Sequence, residues 1–111
     1  MMALNTNTPY PRMVQSAGAN EADYRAFRKA RAIWELITAA GDEVAAEPLF
    51  EAYADSIDTY LLAPASNAAE LARKLRVVRD EELWRGWNMG QEIFSVLAED
   101  ARIIALADVA A

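Results

Sequence analysis

The chain predicts an all-α fold, four helices in a small bundle or an orthogonal array behind an irregular N-terminal arm. Three observations predict it. Apolar side chains recur at spacings of three and four in four separate stretches. No stretch shows the strict alternation of a half-buried strand. Between the stretches stand Gly41, Pro64 and the Asn88–Gly90 segment, residue types that stop or start helices. Short links of this kind favour antiparallel neighbours and are compatible with either arrangement.

Residues 1–19 carry Pro9, Pro11, Gly18 and several Asn and Thr without a sustained period, so they read as the arm, with Tyr10, Met13 and Val14 able to dock on the body or on a second subunit. Residues 20–111 read as one helical domain, a length that can bury a core without staples. Asn20 is placed as the N-cap of helix 1, with Glu21 and Asp23 at its positive end. Phe27, Ala30, Trp34 and Ile37 form its stripe, Tyr24, Ala26 and Ile33 flank it, and Gly41 stops it.

Helix 2 begins near Asp42 or Pro48 and buries Phe50, Tyr53, Ile57 and Tyr60 or Leu61. Leu62-Ala63-Pro64 ends it, because proline disfavours helix in the residue before it. Asn67-Ala68-Ala69-Glu70 has the spacing of a capping box and opens helix 3. Leu71, Leu75 and Val78 are expected to face the core there, with Arg73, Lys74, Arg76 and Arg79 pointing elsewhere. Beyond Asp80 the stripe loses phase, which predicts a kink or a new short helix. Helix 4 follows Gly90, with Ile93, Leu97, Asp100 or Ala101, and Ile104 on one face, and runs to about Leu106.

Composition narrows the chemistry. The chain is 54% hydrophobic yet contains neither histidine nor cysteine. The commonest general base, the commonest transition-metal ligands and the thiol nucleophile are therefore missing. Ser16, Ser56, Ser66 and Ser95 have no histidine to activate them, and a Ser–Lys pair with Lys29 or Lys74 has no supporting spacing. The acid clusters Asp42-Glu43, Asp80-Glu81-Glu82 and Glu99-Asp100 form no calcium loop and read as solvated faces. The expectation is a protein with no catalytic residues, no metal and no cofactor. No basic leader followed by an apolar run is present and no run approaches membrane-spanning length, so a cytoplasmic protein without a membrane partner is expected.

Charge is segregated within a net of −6. Residues 42–70 hold seven acids and no Lys or Arg. Basic residues crowd the helices on either side, as Arg25, Arg28, Lys29 and Arg31, and as Arg73, Lys74, Arg76 and Arg79. Pairing across the surface is the first expectation for packed neighbours.

Trp34, the segment Leu61-Leu62-Ala63-Pro64-Ala65 with Asn67, then Leu71 and Lys74-Leu75 resemble small uncharacterised helical proteins of alphaproteobacterial genomes and prophages, over the middle of the chain. The resemblance implies a phage-derived or accessory helical protein and no activity.

Trp84-Arg85-Gly86-Trp87-Asn88-Met89 brings together the side chains enriched in interface cores. Trp84, Arg85, Trp87 and Met89, with the acidic face Glu51, Asp55 and Asp58, are the candidate partner-binding residues; the indoles could instead close one end of the core with Trp34. The expected function is a non-enzymatic protein–protein interaction module that binds another protein or itself, or inhibits a host factor by imitating nucleic-acid charge. The alternative is a small nucleic-acid-binding or packaging module that uses Arg25, Arg28, Lys29, Arg73, Lys74 and Arg76.

Overall fold

The computed structural model describes residues 19–110, with side chains over 20–107. It is all-α: α1 Ala19–Ala39, α2 Glu43–Leu62, α3 Ala68–Asp80 and α4 Gly90–Ala110, with no strand among the described residues. The expected arm, including Tyr10, Met13 and Val14, lies outside the described residues apart from Ala19, which is helical. The described residues fall into two compact units, residues 19–60 and residues 61–110.

In the first unit, α1 and α2 run antiparallel through a tight connection. The Gly41 N–H donates to the Thr38 carbonyl at 3.0 Å with φ of 81°, a left-handed conformation suited to glycine. Asp42 then caps α2, its Oδ1 accepting the Ala45 N–H at 3.0 Å. The helix therefore starts at Glu43, just after Asp42, and passes through Pro48, whose missing N–H leaves the carbonyl four residues earlier unpaired; that residue, Val44, is exposed and its carbonyl can bind water.

Rings tie the pair together. Tyr24 meets Tyr60 at 5.5 Å between centroids, Phe27 meets Tyr60 at 6.2 Å and Tyr53 at 6.3 Å, and Trp34 stacks on Tyr53 at 4.9 Å with its edge to Phe50 at 5.3 Å. Residue numbers rise on α1 as they fall on α2, which is the antiparallel sense. Phe27, Tyr53, Ile57 and Tyr60 are buried, as the periodicity predicts, whereas Phe50, expected with them, is 41% exposed although its ring meets Trp34.

Asn20 does not cap α1. It sits inside the first turn and is buried, 2% exposed, with no hydrogen-bond partner for either its carboxamide oxygen or its nitrogen. The helix already includes Ala19 and Asn20, ahead of the Glu21 start that the cap signal implies.

In the second unit, α2 ends at Leu62, ahead of Pro64. Asn67 caps α3 by accepting the Glu70 N–H at 2.9 Å. The Glu70 carboxylate returns to the N–H of Ser66, at 2.6 Å, one residue upstream of the reciprocal partner a capping box would use.

The buried face of α3 differs from the expected one. Lys74, Val77 and Val78 point inward, while Leu75 is 50% exposed. The stripe is displaced around the helix toward Lys74 because that side chain has partners inside.

No short helix follows Asp80; residues 81–86 form turns. The Leu83 N–H donates to Val78 O at 3.0 Å and the Glu82 N–H to Arg79 O at 3.2 Å, the paired closure of a Schellman motif. Glu82 takes the left-handed position, φ 54°, where glycine is usual. Leu83 is buried, as are Val77 and Val78, so the motif's apolar closure is present as well. Helix α4 then runs to Ala110, beyond the expected end near Leu106, burying Ile93, Val96, Leu97 and Asp100.

Candidate functional site

The turn between α3 and α4 separates its two tryptophans. Leu83 plugs inward, which directs its neighbour Trp84 outward, and that indole is 59% exposed. Trp87 and Met89 are half-buried. The Arg85 guanidinium carbon lies 5.7 Å from the Trp84 ring centroid, and its Nη1 donates to Glu82 Oε1 at 2.9 Å. Backbone bonds hold the turn: the Arg85 N–H to Glu82 O at 3.1 Å, the Trp87 N–H to Leu83 O at 3.3 Å, and the Gly90 N–H to Trp87 O at 2.9 Å. The exposed indole and guanidinium are thus carried on a closed frame. Packing both indoles at one end of the core does not describe Trp84.

Beneath the surface of the same unit, α3 and α4 share a charge pair. Lys74 and Asp100 are fully buried, with Lys74 Nζ 3.0 Å from Asp100 Oδ2. The ammonium also donates to Leu61 O at 3.3 Å and to Ala63 O. Three protons meet three acceptors. The two carbonyls belong to the end of α2, where helix carbonyls lack partners and the dipole favours a cation. Lys74 therefore serves as a C-cap delivered from another helix. Lys74 is expected among the surface cations and the Glu99-Asp100 cluster as a solvated face, although Asp100 or Ala101 is also expected in the apolar row of helix 4; both Lys74 and Asp100 are interior. The signal that could have found them was Asp100 itself, an acid in register with Ile93, Leu97 and Ile104.

The other predicted residues lie as follows. Arg28 and Lys29 are exposed on α1; Arg25 is exposed and paired with Glu21 at 3.0 Å, and Arg31 pairs with Glu35 at 2.7 Å. On α3, Arg76 is exposed, Arg73 is half-buried, and Arg79 pairs with Asp80 at 2.8 Å. The basic row of α3 is thus broken at its centre by the burial of Lys74. Glu51 and Asp55 are exposed on α2 and Asp58 is half-buried. Among the described residues, Arg28, Lys29, Glu47, Glu51 and Asp55 have no ion-pair partner, so pairing across the hairpin does not engage them.

Arg102 grips Glu99 through two hydrogen bonds of 2.7 and 3.1 Å; that hydrogen bonding, then the attraction between the charges, raises the guanidinium above its ordinary value against a small opposing desolvation. Among the described residues no group of acids could hold a metal ion, and no helix is long and apolar enough to cross a membrane. No protein family, curated protein or solved structure matches the chain.

Proposed function

We propose that this chain is a non-enzymatic protein–protein interaction module whose recognition element is the Trp84–Arg85 knob. One observation carries the reading: a tryptophan, 59% exposed, is displayed on a turn closed by its own hydrogen bonds, with an arginine alongside. Tryptophan and arginine dominate binding hot spots because each offers large contact area together with a directed polar edge. A frame ordered before binding also reduces the entropy lost on docking. Glu51, exposed and without an ion-pair partner among the described residues, offers an acidic point for a second contact.

The test places a photo-cross-linking side chain at position 84 and, as a control, at exposed Leu106. Capture of a discrete protein from position 84 alone, lost with Arg85→Glu, supports the reading. Identical products from both positions defeat it. Trp84→Ala should leave stability within about 0.5 kcal/mol, as surface substitutions do.

Nucleic-acid binding is the weaker reading, because burial of Lys74 leaves α3 with a divided cation row. It predicts salt-sensitive retention on DNA that falls when Arg28, Lys29 and Arg76 are neutralised.

A further inference from the structure

We infer that the α1–α2 hairpin associates with a second copy of itself, α1 of one chain lying on α2 of the other. This surface is separate from the Trp84 turn and the inference does not rest on that reading.

Each helix of the hairpin carries two apolar ladders. The first, Tyr24, Phe27 and Trp34 on α1 with Phe50, Tyr53, Ile57 and Tyr60 on α2, is occupied by the ring contacts inside the hairpin. The second is Ala26, Ala30, Ile33 and Ile37 on α1, and Ala45, Leu49, Ala52 and Ser56 on α2. Both second ladders step by four, three and four, the spacing of a helix–helix seam. Both also stand one position before the first ladder of their own helix, by residues such as Ala26 before Phe27 and Ala52 before Tyr53. In two antiparallel helices equal displacements fall on the same side of the pair, so the second ladders form one continuous, uncharged face. Ala26, Ile33 and Ala52 on it are exposed, Ile33 by 40%, and Leu36 at its margin by 70%.

Charge selects the occupant. Lys29 flanks this face on α1 and Asp55 flanks it on α2, and neither has an ion-pair partner among the described residues. A two-fold axis parallel to the helices sets α1 on the partner's α2, antiparallel and at matching heights. The ring contacts set those heights: Trp34 lies beside Phe50 and Tyr53, and Phe27 beside Tyr53 and Tyr60. Lys29 then meets the partner's Asp55, Ile33 meets the partner's Ala52, and Ile37 meets the partner's Leu49. Setting α2 on α2 would instead face Asp55 with a helix that carries no Lys or Arg, leaving it without a counter-charge across the seam.

Sedimentation equilibrium of the full chain tests this. The expected result is a dimer, and Ile33→Asp should give a monomer of unchanged helicity because that side chain is already partly exposed. Lys29→Glu and Asp55→Lys should each weaken association about tenfold, since every reversal is felt at two symmetric contacts. An equal mixture of these two variants should recover wild-type affinity, because in the mixed dimer both contacts join opposite charges. Trp84→Ala should leave association unchanged. A wild-type chain that stays monomeric at every concentration overturns the inference, as does a dimer indifferent to Ile33→Asp. Charge variants that weaken association but fail to rescue each other overturn the α1-on-α2 arrangement, and with it the inference.

Discussion

The α1–α2 hairpin and the α3–α4 unit are held by opposite kinds of force. Between α1 and α2 the ties are faces and edges of Tyr24, Phe27, Trp34, Phe50, Tyr53 and Tyr60, which tolerate small changes of angle and depend on volume. In the α3–α4 unit the central tie is one ammonium on α3 shared between Asp100 of α4 and two carbonyls at the end of α2, an arrangement that depends on geometry and is weakened as a whole when a member is removed. A ring ladder gives adhesion in proportion to area. A buried ion pair adds little net stability over apolar packing, but makes every incorrect register expensive.

The largest effect that would break this contrast is at the pair. Asp100→Ala leaves Lys74 buried without its counter-charge and should lower unfolding free energy by about 4 kcal/mol in urea titration. The double variant Lys74→Met, Asp100→Leu should cost less than the single one, because it leaves no charge buried without its partner and the loss at the Leu61 and Ala63 carbonyls is that of neutral acceptors only. A double variant worse than Asp100→Ala would show that the pair contributes more than the cost of orphaning one charge.

Next comes the ring ladder. Phe27→Ala should cost about 3 kcal/mol by removing contacts to both Tyr53 and Tyr60, measured in the same titration. Removing a ring there should loosen α1 against α2 and lower near-ultraviolet dichroism from the neighbouring tyrosines. If dichroism held while stability fell, the ladder would be acting through area alone.

Two smaller changes sharpen the comparison by adding stability, one in each unit. Asn20→Leu exchanges an unpartnered buried carboxamide for a hydrocarbon of similar size, and a gain of about 1 kcal/mol is expected from thermal melts. Glu82→Gly relieves a left-handed residue at the end of α3 and should gain slightly less, about 0.5 kcal/mol, since glycine also gives the unfolded chain more freedom. A loss with Glu82→Gly would mean that its ion pair with Arg85 outweighs the backbone strain.

How legible each feature was depended on how local its cause is. Gly41 and Asp42 were readable because the left-handed stop and the cap involve residues within one turn of each other. Tyr53, Ile57 and Tyr60 were readable because their spacing has one apolar solution, while Phe50, at the open end of the same stripe, stays 41% exposed. Lys74 was not: spacings of three and four from Leu71 reach Lys74 and Leu75 equally, and hydrophobicity alone selects the leucine. The choice was made by Asp100, 26 residues away, and by two carbonyls at the end of another helix. Trp84 and Trp87 were equivalent as residue types, and only the Schellman closure, with Leu83 as its buried plug, turned one outward.

By itself, the order of residues determined that this protein is helical, where its first three helices stop, and that histidine and cysteine chemistry is closed to it, because periodicity, capping and composition act over a few residues or over none. The tertiary structure alone decided that a lysine would be core and a leucine surface, and which tryptophan would meet solvent. Those outcomes depend on partners brought close only when the chain folds, and the energy of an ammonium in the interior has no meaning until its acceptors are in place.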